Sequence, residues 1–156
     1  MTFTGESATG RIIMGNAAQT LKRVSFELGG KSASIVMADA DLDLAIKGTI
    51  DGIFRNQGEV CLAGSRLLVQ REIYDEFLER YVAAAEALVV GDPRDPATQI
   101  GPLVSTEHLE KVLSYIELGQ AEGGKLMTGG HRVTDGNLAA GNYVAPTVFA
   151  DVDNSW

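Results

Sequence analysis

Phe26-Glu27-Leu28-Gly29-Gly30-Lys31-Ser32 and Phe54-Arg55-Asn56-Gln57-Gly58-Glu59-Val60-Cys61-Leu62-Ala63-Gly64-Ser65-Arg66 decide the fold, together with what joins them. Residues 23–28 alternate polar and apolar side chains, the period of a half-buried strand, and Gly29-Gly30 ends the run. Residues 32–37 make a second short strand. Asp41 then stands where a helix N-cap belongs, with acidic residues in the following turn, where the helix dipole favours them. A helix is predicted over 42–56, with the Cys61 loop after it. Arg66-Leu67-Leu68-Val69-Gln70 reads as a continuous apolar strand. Strand, helix and strand in this order make the parallel crossover of an α/β protein.

The same alternation extends outward. Thr2-Phe3-Thr4 reads as the end of a strand, followed by a helix over 7–19 with Ile12, Ile13, Ala17 and Ala18 on its apolar side. Residues 72–90 form a long amphipathic helix, apolar at Ile73, Phe77, Leu78, Tyr81, Val82 and Leu88. Gly91-Asp92-Pro93-Arg94-Asp95-Pro96 is a turn. A further helix starts at Ser105 and runs to about residue 122, burying Leu109, Val112, Leu113 and Ile116. Residues 125–128 are a strand, Gly129-Gly130 a turn, and a polar loop leads to an extended stretch at 143–149 broken by Pro146. The fold class is α/β, a largely parallel sheet flanked by helices.

Composition narrows the function. At 156 residues with 45% hydrophobic content, the chain suits one globular domain, at most one and a half. The net charge of −8 repels phosphate backbones, so nucleic acid is excluded as a partner. No apolar run reaches membrane-span length, and the N-terminus is not a signal peptide. One cysteine rules out an internal disulfide and fits a reducing, cytoplasmic setting. His108 and His131 lie far from Cys61 and from each other, without metal-ligand spacing, so no metal is expected.

Three features carry chemistry. Cys61 could be an inert small apolar residue. Yet it sits in a polar loop beside Ala63-Gly64, where small residues let a substrate approach, and a thiolate is a strong nucleophile. Glu27 could be a plain solvent-facing charge. Between Phe26 and Leu28 it could instead enter a partly apolar pocket and act as a general base, with Gly29-Gly30 allowing a ligand close to the backbone. Gly5-Glu6-Ser7-Ala8-Thr9-Gly10 has phosphate-loop spacing but lacks the Lys-Ser/Thr pair, so it is not a P-loop. It is either a simple turn or a strand-to-helix turn whose backbone N–H groups face a pyrophosphate.

Taken together, the string 26–32 resembles the glutamate signature of the aldehyde dehydrogenase superfamily, and Gly58-Glu59-Val60-Cys61 with Phe54 and Ala63-Gly64 resembles its cysteine signature. The resemblance extends over essentially the whole chain, through Phe3-Thr4-Gly5, Gly91-Asp92-Pro93, Ile100-Gly101-Pro102-Leu103 and Pro146-Thr147-Val148. It is closest in flavour to bacterial semialdehyde dehydrogenases. It implies NAD(P)-dependent oxidation of an aldehyde, or a semialdehyde, to a carboxylic acid through a Cys61 thiohemiacetal and thioester. Glu27 would be the base. Gly5 and Glu6 would lie at the cofactor pyrophosphate, and Leu28 and Gly29 at the nicotinamide. Glu6 departs from the serine common at that place.

The resemblance also implies a division into 1–28, the end of a cofactor-binding domain, and 29–156, a catalytic domain incomplete at its C-terminus. Both ends read as cut, so the chain is expected to be a piece of such an enzyme that does not by itself hold NAD or NADP. Two other functions stay open: an inactive domain that only folds or self-associates, and a residual thiol esterase. Exposed strand edges imply a homo-oligomer. The expected small-molecule partner is an aldehyde.

Overall fold

In the computed structural model, which describes residues 1–153, the elements run β1 (Thr2–Gly5), α1 (Ser7–Ala18), β2 (Ser25–Leu28), β3 (Ala33–Val36), α2 (Leu42–Phe54), β4 (Arg66–Val69), α3 (Tyr74–Glu86), α4 (Thr106–Ala121), β5 (Lys125–Thr128) and β6 (Val148–Ala150). The strands pair as three two-stranded sheets. β1 lies parallel to β2, with Phe3 opposite Phe26, and β3 lies parallel to β4, with Ala33 opposite Arg66. β5 and β6 are antiparallel. Each parallel pair is bridged by a helix, α1 for the first and α2 for the second, as the crossover rule requires.

Helix starts follow the local chemistry. Asp41 Oδ1 accepts the backbone N–H groups of Asp43 and Leu44 at 3.0 and 3.1 Å, and Ser105 Oγ accepts that of His108 at 3.1 Å. These caps satisfy donors that the first helical turn leaves unpaired. Two helix ends fall short of the sequence reading. α2 stops at Phe54 because Asn56 and Gln57 take left-handed torsions, at φ 51° and 57°. α3 stops at Glu86, and the β-branched Val89-Val90 pair becomes extended; Val90 makes a parallel bridge to Ile100.

The main core lies where α2 and α3 pack beneath β3. It contains Val36, Ile46, Ile50, Phe77, Tyr81, Ala85 and Val148. Phe77, the bulkiest side chain to be fully enclosed, stacks on Tyr81 at 5.6 Å between ring centroids. Burying each such side chain contributes about 1.5–3 kcal/mol. Within residues 1–28, α1 lies on β1 and β2, with Gly10 buried against Leu28. Of the four residues assigned to the apolar side of α1, Ala17 is buried and Ile12 is 66% exposed. On β3 and β4, Ile35 and Leu68 are register partners on the face opposite Val36, and they are 68% and 48% exposed. The sequence reading of the last residues extends to 154–156, outside the described residues.

Candidate active site

The two motif strings meet because β3 and β4 pair. β3 begins just after the first string and β4 on the last residue of the second, so parallel pairing brings the ends of the strings side by side. The Arg66 backbone N–H donates to the Ser32 carbonyl at 3.2 Å, and its Nε donates to the Lys31 carbonyl at 2.8 Å. Further along, a side chain added at Gly64 would collide with the Ser34 hydroxyl. At the open end, a Cβ on Gly30 would sit 3.2 Å from the Cys61 carbonyl oxygen. Gly30 is three residues past Glu27, and three residues of extended chain span at most about 11 Å. The pairing thus sets the backbone just past Glu27 beside the backbone of Cys61.

Cys61 is exposed and carries a free thiol. The chain reaches it through a tight reversal. Asn56, Gln57 and Gly58 are all left-handed, Gly58 at φ 79°. The Glu59 N–H donates to the Asn56 carbonyl at 2.9 Å, and Asn56 Nδ2 donates back to the Glu59 carbonyl at 3.2 Å. Beyond the thiol, Ala63 is buried and Gly64 N–H donates to the Gly52 carbonyl at 3.1 Å, which ties the returning chain to α2.

Glu27 stands in β2 with both apolar neighbours half-buried and itself exposed. The partly apolar pocket suggested by Phe26 and Leu28 does not enclose it. Strand alternation turns those two toward α1 and points Glu27 away from it. Open solvent lies around Gly29, where a Cβ would meet nothing within 4 Å.

At the same end of β2's sheet, Gly5 pairs with Leu28 and closes β1, and Glu6 caps α1 without a side-chain cap bond. A Cβ on Gly5 would press on the Phe3 ring at 2.7 Å, so the turn requires glycine. The strand–glycine–helix geometry leaves α1's first N–H groups facing outward, which suits a pyrophosphate. The Glu6 carboxylate opposes that charge, and it pairs with Lys111 at 3.7 Å.

Sequence reasoning missed α4 as a neighbour of the thiol loop. His108 Nε2 lies 2.9 Å from Glu59 Oε1, and Gln57 Nε2 donates to the Pro102 carbonyl at 3.1 Å. No local pattern signals pairs so distant in the chain. His131 instead bonds the Gly129 carbonyl. Among the described residues there is no group of three His, Cys, Asp or Glu side chains able to hold a metal, and no helix long and apolar enough to cross a membrane.

Comparison with known proteins shows the family and supports the fold. The family model described as Aldehyde dehydrogenase family matches residues 1–156. The chain belongs to the aldehyde dehydrogenase family. A betaine aldehyde dehydrogenase of Vibrio vulnificus is 50% identical over 151 residues, which are 97% of this chain and 31% of that protein. A 2-hydroxymuconic semialdehyde dehydrogenase of a Pseudomonas species is 51% identical over 150 residues, 96% of this chain and 31% of that protein. A solved betaine aldehyde dehydrogenase from Staphylococcus aureus, in complex with NAD+, superposes with a TM-score of 0.96 at 39% identity, covering 99% of this chain and 30% of the other. This aldehyde dehydrogenase chain thus spans about 31% of the length of the curated relatives it matches.

Proposed function

We propose that the chain supplies the nucleophile and the base of an NAD(P)-dependent aldehyde dehydrogenase. The observation that carries this reading is the β3–β4 pairing, which sets Gly30, just past Glu27, against the backbone of an exposed Cys61. The Cys61 thiolate attacks the aldehyde carbon and forms a thiohemiacetal. The Cys61 backbone N–H donates to the resulting oxyanion. NAD(P), when bound, accepts the hydride. Cys61 is left as a thioester, and Glu27 takes a proton from the water that hydrolyses it. The acid departs and the thiolate returns.

Residues 1–28 end the cofactor domain and 29–156 belong to the catalytic domain. The contacts of α1 with β1 and β2, and the pairing of those two strands with each other, support that division. Gly5 and Glu6 lie at the pyrophosphate and Leu28 and Gly29 at the nicotinamide. These contacts make only one edge of a dinucleotide site. Each missing charged contact costs about 1.5–3 kcal/mol, so these 156 residues alone do not retain NAD at millimolar concentration. The similarity to a 2-hydroxymuconic semialdehyde dehydrogenase supports a semialdehyde substrate, and the setting is cytoplasmic. Thiol esterase activity needs no dinucleotide, and the joint exposure of Cys61 and Glu27 favours it as the residual reaction.

The test sets aldehyde plus NAD beside an activated ester. Ester hydrolysis lost in Cys61→Ser, with no cofactor reduction by the chain alone, is the expected pattern. In an intact relative the matching substitution should abolish both activities. Full ester turnover by Cys61→Ser would overturn the assignment.

A further inference from the structure

Glu59 and His108 take no part in the steps above, yet they join the thiol loop to α4. Two non-glycine residues, Asn56 and Gln57, hold left-handed torsions just before Gly58 and Glu59. Such torsions persist only where the surroundings restrain them. The restraints come from one segment of the chain. Gln57 Nε2 donates to the Pro102 carbonyl at 3.1 Å, and Glu59 Oε1 lies 2.9 Å from His108 Nε2. His108 is itself fixed, because the Ser105 cap holds its backbone N–H in the first turn of α4. Both side chains of the Glu59–His108 pair are about one-third exposed, at 37% and 34%, so the contact is partly shielded from water.

We infer that the Glu59–His108 pair is a clasp that positions the Cys61 loop and holds the Glu59 carboxylate away from the sulfur, with His108 as the positioning residue. The inference rests on the nucleophile role proposed for Cys61. Glu59 is two residues from the thiol. Released from His108, its carboxylate could turn toward the sulfur, and a negative charge there disfavours the thiolate. The clasp therefore does two things. It braces a strained reversal, and it keeps an anion pinned to α4. One turn further along the same helix, Lys111 pairs with Glu6 at 3.7 Å, so α4 also reaches the turn that precedes α1.

The sole cysteine makes the test direct. The rate of iodoacetamide alkylation is measured on the folded 156-residue chain at neutral pH. His108→Ala should react about threefold more slowly. His108→Gln, whose amide can still donate to Glu59, should restore the rate. Glu59→Gln should not slow the reaction, and adding His108→Ala to it should change nothing further. A bracing role alone would make loss of His108 act equally in both backgrounds. An unaltered rate in His108→Ala, or slowing that persists in the Glu59→Gln background, would overturn the clasp. Hydrogen exchange at the Glu59 amide gives a second readout. It should quicken in His108→Ala and recover in His108→Gln, and no change in either variant would count against the inference. If Cys61 does not alkylate in the folded chain, the nucleophile reading fails, and amide exchange alone then judges the clasp.

Discussion

Cys61 is accessible because three left-handed residues turn the chain out of α2 before it can bury the thiol. Native Cys61 should therefore be alkylated without denaturant, as followed by intact mass; labelling only after unfolding would contradict its placement. Cys61 and Glu27 both stood out as candidates in the sequence, since each lies in an unusual glycine-bearing string. Their chemical partners did not. Glu59 was visible as a charge but nothing near it named His108, because that contact depends on how α4 packs against a loop far back in the chain. Glu27 also showed where local reasoning stops: its apolar neighbours face α1, and strand alternation sends the carboxylate the other way.

Helices and strands were readable to within a few residues where a cap or a glycine marked their limits, as Asp41 and Ser105 do. Ends set by tertiary context were missed, namely the left-handed residues after Phe54 and the Val90–Ile100 bridge after α3. The α2–α3 packing rests on Phe77, which is 1% exposed. Phe77→Ala should destabilise the fold by about 3–5 kcal/mol in urea denaturation, whereas Leu21→Ala, at a 91% exposed position, should change little. Burial also pushes the Tyr81 hydroxyl up to about 12. An unfolded tyrosine ionises near pH 10. Tyr81 thus supports the native state fully below that pH, and the support is lost as the pH rises from about 10 towards 12. Burial and the Asp151 hydrogen bond push the Tyr74 hydroxyl up as well, so ultraviolet titration should show more than one tyrosine ionising above the ordinary range, and Tyr81→Phe should remove the latest component.

The molecule as a whole leaves apolar sheet surface uncovered. Ile35 and Leu68 face outward from a two-stranded parallel sheet, an arrangement that elsewhere is covered on both faces. The chain should therefore self-associate at micromolar concentration. Salt should strengthen the association by screening the net charge of −8. Ile35→Lys should restore the monomer mass in light scattering, and a wild-type chain that is monomeric at all salt concentrations would contradict this. The α/β class was legible because strand and helix periods alternate. The split into three short sheets was not, because sheet neighbours are set by packing between distant segments. The most direct test of a shared site for Cys61 and Glu27 is intact mass spectrometry of the chain after a pulse of activated ester. The acyl group should appear on Cys61, and Glu27→Gln should lose it on the order of 100-fold more slowly than the wild type. Equal deacylation rates in the two proteins, or acylation elsewhere than Cys61, would contradict it.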